Sequence, residues 1–267
     1  MDRYKNFLRI CSEYLSRKYN SIQTHNCYLR EIELFLKTYN KETHQLNEQD
    51  LNNYLDKFKD SSRSKQNQVI ASLRVLYLDV LKRKNFKYKF VRSKKKEYLP
   101  TLMSQEEIKF KLDNISNIKH KAICSLIYGC GLRLSELINF KIEHIIKGQN
   151  LIKIVQGKGA KDRFIPISDN LLILLREYYI KYQPKEYLFE GQNHSPQYSE
   201  GSVQKIVKKY FGNKFHVHIL RHCYATHLYE QKVDLNKIQK LLGHKDIKST
   251  QIYTKLANNL QDIPKLI

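Results

Sequence analysis

Apolar residues recur at helical spacing through the first part of the chain. Ile22, Tyr28, Ile32 and Phe35 mark one stripe. Val69, Leu73, Leu76, Tyr77, Val80 and Leu81 mark a clearer one, which predicts an amphipathic helix over these positions. Glycine is absent from residues 1 to 128. That suits helices joined by short polar turns, and Ser61-Ser62-Arg63-Ser64 reads as one such turn. Ser104-Gln-Glu-Glu107 has the form of a capping box and is expected to open a helix. His120 to Tyr128 is a further helical run, ended by Gly129-Cys130-Gly131. The period then changes. Leu151 to Val155 is rich in β-branched residues, Gly157-Lys-Gly-Ala-Lys161 reads as a turn, and Arg163 to Ile167 pairs back as a second strand. Beyond it the pattern is helical again. A helix beginning near His218 places residues 218, 221 and 225 on one face, and Leu220, Tyr224 and Leu228 on another that packs inward. The predicted fold class is mainly α with a small β-hairpin or sheet, without internal repeats.

Charge changes this picture most. The chain has 267 residues, with 48 Lys and Arg against 26 Asp and Glu, a formal net charge of +22. Such an excess attracts a polyanion, and nucleic acid is the commonest one, because each phosphate is neutralised by one Lys or Arg. A membrane surface would want an amphipathic basic helix or a lipid anchor, and no lipidation motif is present. No apolar run approaches the length that spans a bilayer, and the N-terminal stretch lacks a signal-peptide core. A cytoplasmic, nucleoid-associated protein is expected. The five cysteines are scattered, without a C-x-x-C pair, which argues against a disulfide framework and a zinc site. From Lys82 to Lys96 there are nine basic residues and no acidic ones, followed by Leu99-Pro100. The bland reading is a solvated linker; between two folded units, it also suits a path along a DNA backbone. The expected organisation is a helical domain over residues 1–92, a basic linker over 93–98, and a second domain over 99–267.

Four short segments carry candidate chemistry: Gly131-Leu-Arg133-Leu-Ser-Glu136-Leu, Gly157-Lys158-Gly-Ala-Lys161-Asp-Arg163, His218-Ile-Leu-Arg221-His222, and Leu242-Gly-His244 with Tyr253 nine residues beyond. Cleaving a phosphodiester without a metal requires preorganised cations where negative charge develops. Arginine suits this because its planar fork holds two phosphate oxygens at once, so Arg133 and Arg221 are candidates. A phenol attacks when its surroundings favour loss of its proton. A lysine on a hairpin tip, Lys158, is a reasonable donor to the leaving oxygen. Each element also has a dull reading. Arg133 and Glu136 alone make a helix salt bridge. Gly157-Lys158-Gly159 alone is a hairpin turn and lacks P-loop spacing. Tyr253 is one of 19 tyrosines. Five histidines in the last quarter raise the question of a metal, but no H-E-x-x-H pattern is present, so no metal and no cofactor are expected.

Taken in this order, the segments resemble the tyrosine recombinase (phage integrase) family over nearly all of the chain. The resemblance rests on LPTLMS from Leu99, GLRLSEL, GKGAKDR with Phe164-Ile-Pro-Ile167, HILRHCYATHL, IQKLLGH, and IYT around Tyr253. It implies a catalytic set of Arg133, Lys158, His218, Arg221, His244 and Tyr253, with Glu136 at a supporting acidic position. It further implies an N-terminal core-binding bundle of SAM-like type that clamps DNA, and a C-terminal mixed α/β catalytic domain. Lys255 stands where the family has a histidine after Tyr-Thr. Without an arm-binding domain or an integron-type insertion, the plan is nearest to Xer-like or simple mobile-element recombinases.

The resemblance implies attack by Tyr253 to give a 3′-phosphotyrosine, with energy conserved and neither ATP nor metal consumed. Double-stranded DNA is the expected partner. Lys94, Lys95, Lys96, Lys161 and Arg163 are candidate DNA contacts. The tail after Tyr253 is expected to dock into a neighbouring protomer, giving a homotetramer on DNA, with a second recombinase or accessory protein as a further partner. Two other readings use the same residues: a monomeric type IB topoisomerase, and a DNA-binding protein that has lost catalysis.

Overall fold

The computed structural model describes residues 4–93, 101–146, 148–155, 162–191, 196–244 and 246–257. Lys94, Lys95, Lys96, Lys158, Lys161 and the tail from residue 258 lie outside them. The chain packs as two compact units, Met1–Tyr98 and Leu99–Ile267.

The first unit is helical. Helix α1 (Lys5–Lys18) buries Cys11 and Leu15, and α2 (Ile22–Tyr39) buries Ile32, Phe35 and Leu36. Ser21 starts α2 by accepting from the Thr24 N–H, and Asn40 ends it in the left-handed region, φ 44°. Ile22, counted in the apolar stripe, is instead 77% exposed at the first turn. Helix α3 (Glu48–Asp56) opens with a reciprocal Asn47–Asp50 capping box. Helix α4 (Arg63–Arg74) begins directly after Ser62, so the expected turn shrinks to a cap: Ser62 Oγ accepts from the Lys65 N–H.

The stripe over 69–81 is not one α-helix. It passes from α4 into a π-helical turn over Val75–Val80. The wider turn brings three successive residues, Val75, Leu76 and Tyr77, into the core, where α-helical spacing would rotate one outward. Tyr77 then meets Phe35, which packs edge-on against Tyr54 at 5.1 Å. Buried Gln66 ties Ser93, in the irregular stretch before residue 94, to the bundle. Its Nε2 donates to Ser93 Oγ and to carbonyls of the 58–61 turn, while Oε1 accepts from the Ser93 N–H.

The second unit opens with α5 (Gln105–Asp113), capped reciprocally by Ser104 and Glu107. Helix α6 (Ile118–Cys130) is its hydrophobic axis, with Ala122, Ile123, Cys124, Leu126, Ile127 and Cys130 buried. It runs through Gly129 and Cys130, past the expected stop, and ends at Gly131. Short α7 (Leu134–Ile138) follows, then an antiparallel sheet β1 (Ile145–Ile146), β2 (Leu151–Ile154) and β3 (Arg163–Pro166) in that order. The two expected strands are present, and β1 adds a third through Ile145↔Ile152. The chain then forms α8 (Asp169–Tyr182), α9 (Glu200–Phe211), α10 (Val217–Glu230), α11 (Leu235–Leu242) and α12 (Lys248–Ala257). Helix α10 packs on α6, α11 and α12, and β3 packs on α11. These contacts gather the distant motifs. Among the described residues, no helix is long and apolar enough to cross a membrane.

Candidate active site

The site is built around Gly131. At φ 59° it ends α6 in a left-handed turn, and its Cα lies so close to Tyr224 that any Cβ would stand 2.4 Å from the ring. The turn buries Leu132 and leaves Arg133 at the mouth of α7. Glu136, one turn on, accepts from both ends of Arg133. Its Oε2 takes the backbone N–H at 2.8 Å and its Oε1 takes Nη1 at 2.6 Å. Arg163 approaches from β3 with a two-pronged contact, Nη1 to Oε1 and Nη2 to Oε2, both 2.9 Å. Arg221 Nη1 lies 3.6 Å from Oε2. Burial pushes the Glu136 carboxyl up. The hydrogen bond and charge of Arg163, joined by the Arg133 backbone N–H and charge, outweigh that and hold it at about 2. Burial, then the charge of Arg133, draws Arg221 down to about 10, which leaves it protonated at neutral pH. Three guanidiniums around one carboxylate leave a surplus of two positive charges, a complement for an incoming phosphate.

The same three arginines hold the end of α11. Its last carbonyls have no partners within the helix and carry the negative end of its dipole. Arg163 Nε donates to Leu241 O at 2.7 Å, Arg221 Nη2 to Leu242 O at 2.6 Å, and Arg133 Nη2 to Gly243 O at 2.9 Å. Arg221 Nη1 also donates to Gly131 O at 2.6 Å. Gly243, at φ 63°, turns the chain out of α11, and His244 follows.

His244 is half-buried. Its Nδ1 lies 3.0 Å from Oγ1 of fully buried Thr250, and its ring stacks on Tyr253 with 6.3 Å between centroids. Tyr253 is only 1% exposed, in a small cluster with Ala225, Ile238 and Leu242. The His222 ring lies 5.7 Å from it, with a buried Nδ1 that has no partner. Burial, followed by neighbouring positive groups, brings His222 and His244 down to about 4, so both imidazoles are neutral at pH 7. Burial raises the Tyr253 phenol while the charges of Arg221 and Arg133 pull it back.

The structure thus brings together Arg133, Glu136, Arg221, His244 and Tyr253. Exposure falls along the face expected for His218, Arg221 and Ala225, and the His218 imidazole is held below its ordinary value by burial and then by His216, Arg221 and Arg133. His218 is exposed beside His216, Arg221 is buried, and Ala225 packs under Tyr253 rather than leaving room for substrate. Arg163 needs correction as a DNA contact. Each of its three guanidinium nitrogens donates within the protein, Nε to Leu241 O and Nη1 and Nη2 to Glu136, whereas the bonds of Arg221, 3% exposed, run from Nη1 and Nη2; Arg163 is therefore assigned to holding Glu136 and α11 and not to a DNA backbone. The signal was in the strand: Arg163, Ile165 and Ile167 alternate onto one inward face. Thr250 was missed because neither short motif nor charge marks it; His222 stands in the His218–His222 segment but was given no role, and only packing against Tyr253 shows one. Among the described residues, no group of three or more His, Cys, Asp or Glu is placed to hold a metal.

Comparison with known proteins agrees with this architecture. The phage integrase family matches residues 95–259, and the SAM-like N-terminal domain of phage integrases matches residues 7–85. The chain belongs to the phage integrase family, and is a tyrosine recombinase, an enzyme of site-specific recombination. It is 33% identical to tyrosine recombinase XerC of Staphylococcus epidermidis over 269 aligned residues, covering 92% of this chain and 88% of that one. It is 40% identical to tyrosine recombinase XerA of Pyrococcus horikoshii over 165 residues, 60% of this chain and 58% of that protein. Its fold is shared with the XerH site-specific recombinase solved on palindromic difH substrate after cleavage, at TM-score 0.70 and 22% identity, covering 90% of this chain and 78% of that one.

Proposed function

We propose that this recombinase breaks and rejoins double-stranded DNA through a covalent bond between Tyr253 and a 3′-phosphate. The observation that carries this reading is the convergence of Arg133 and Arg221, aligned on Glu136, beside His244 and Tyr253. The Tyr253 oxygen attacks the scissile phosphorus, the bond to the 5′-oxygen breaks, and a free 5′-hydroxyl departs. Arg133 and Arg221 stabilise the charge that builds on the non-bridging oxygens. His218 takes the phenolic proton, His244 donates a hydrogen bond to a non-bridging oxygen, and Lys158 protonates the leaving oxygen. The phosphotyrosine keeps the bond energy, so a second 5′-hydroxyl reverses the step on a new partner.

The first unit acts as a DNA clamp, and Lys94, Lys95 and Lys96 of the linker and Lys161 of the second unit act as phosphate contacts. The XerH structure, solved on a DNA substrate, supports DNA as the ligand. Burial of Tyr253 supports gated activity: the tail follows α12 directly, so its docking into a neighbouring protomer draws the tyrosine toward the phosphate. Four such head-to-tail contacts close a tetramer around two duplexes. The enzyme works in the cytoplasm at the nucleoid, where this substrate lies, in integration and excision of an element or in resolution of chromosome dimers.

The test is a nicked suicide substrate resolved on a denaturing gel in excess EDTA. Wild type should give a covalent band, and Tyr253→Phe should bind the same DNA without one. A band that persists with phenylalanine moves the nucleophile elsewhere. A wild-type band that vanishes on chelation and returns with magnesium overturns the roles given to Arg133, Arg221 and Lys158.

A further inference from the structure

We propose that Arg163 is a positioning residue of the recombinase site: it orients Glu136 and the end of α11, and through them Arg133 and His244, without touching DNA. The inference rests on the catalytic roles assigned above to Arg133 and His244.

Arg163 lies on β3 with Ile165, its backbone register fixed opposite Ile154. The strand turns the side chain inward, and 8% of the residue remains exposed. Its donors then diverge. The two Nη groups grip both oxygens of Glu136 at 2.9 Å, and Nε turns to Leu241 O at 2.7 Å. The Glu136 side chain is itself buried, and Arg133 and Arg221 provide it with counter-charge besides Arg163. Arg133 reaches the two oxygens through separate donors, its backbone N–H and Nη1, and not through one planar fork. A carboxylate held from one side rotates about its last torsion, whereas a two-pronged guanidinium contact sets the orientation of both oxygens. Those same oxygens receive the Arg133 Nη1 and backbone N–H, so fixing the carboxylate fixes the Arg133 fork. The Nε bond works on the other side of the site. It holds the first of three successive carbonyls, Leu241, Leu242 and Gly243, whose course decides where His244 begins. One side chain therefore sets the spacing between two groups assigned to the phosphate. Lysine cannot substitute, because one ammonium on a flexible stem does not span two carboxylate oxygens and a carbonyl in fixed geometry.

The experiment compares Arg163→Lys and Arg163→Gln with wild type on the full chain. Binding to cognate-site DNA is measured against salt, and covalent adduct formation is followed in single turnovers at saturating protein. The expected result is an unchanged Kd and salt slope, with adduct formation slowed about 10- to 100-fold, since sub-ångström misplacement of reacting groups has effects of this order. Lysine should restore little of the rate. With glutamine, Glu136 loses the hydrogen bond and charge that oppose its burial, so its pKa rises and the rate profile gains an acid limb absent from wild type. A purely structural residue would lower melting temperature without moving that limb.

A salt slope reduced by about 0.9 with normal chemistry in the bound complex would make Arg163 a phosphate contact and overturn the proposal. Full-rate cleavage by both variants would also overturn it. Should the variants fail to fold, the Arg163 Nε–H signal of wild-type protein labelled with 15N-arginine decides. It should hold its position when DNA is added, and a large shift refutes the claim that it does not touch DNA. Tyr253→Phe and Arg133→Gln run alongside: adduct formation by either would fault the underlying catalytic reading, whereas their inactivity beside full-rate Arg163 variants would fault only this inference.

Discussion

Replacing Gly131 by alanine tests the geometry at the centre of the site. Two penalties add. At φ 59° an L-residue is in the left-handed region, which costs about 1–2 kcal/mol. The new methyl would also stand 2.4 and 2.7 Å from Cδ1 and Cε1 of Tyr224 and 3.2 Å from Cδ2 of Leu242. Tyr224 sits on α10 among packed neighbours and does not swing clear, so overpacking adds about 1–3 kcal/mol. The total is about 2–5 kcal/mol, which in a unit of this size lowers the melting temperature by on the order of 10 °C. The displacement also reaches the chemistry, because the Gly131 carbonyl is the acceptor for Arg221 and Arg133 follows two residues later. Adduct formation should fall at least about tenfold. Gly148→Ala is the control. It has φ 77° but nothing within 4 Å of the added carbon, so it carries the backbone penalty alone. Thermal melts of the three proteins, with cleavage assayed well below each midpoint, give the comparison. Equal destabilisation by the two alanines, with full cleavage by Gly131→Ala, would refute the clash and its link to Arg221.

Two further expectations follow from the site and its neighbours. His222 and His244 titrate near 6.5 when unfolded and at about 4 when folded, so between these values the unfolded chain binds more protons. Their contribution to stability is complete above pH 6.5 and is lost as pH falls through 4; urea midpoints should drop across this window, and His222→Gln should flatten the drop, whereas a wild-type midpoint constant from pH 7 to 4.5 contradicts the burial of these rings. Deleting Ala257 to Ile267 should leave single-site binding near normal and abolish synapsis, read by native gels and light scattering. Tetrameric synapses and full-rate exchange without the tail would refute docking, and relaxation of supercoiled DNA by single protomers would favour the topoisomerase reading.

Local sequence decided much that is visible here. The Ser104–Glu107 box, the β-branched strands and the fold class all follow from interactions within a few residues, where caps and hydrophobic period act without distant partners. Motif order likewise pointed to Arg133, Glu136, Arg221, His244 and Tyr253 before any contact between them was known. The π-helical turn at Val75–Val80 was not legible, since its cause is three successive side chains competing for one core. Neither was the difference between arginines of the same chemistry. Arg133 keeps 31% of its side chain exposed, while Arg163 keeps 8%, because β3 lies against α11 and turns Arg163 toward Glu136 and Leu241 O. Burial of Tyr253 under His222 and His244 was decided in the same way, by α10, α11 and α12 packing around it. A residue's type sets what it can bond; whether it meets DNA, a carboxylate or a hydrophobic wall depends on elements far away in the chain, and only their packing settles it.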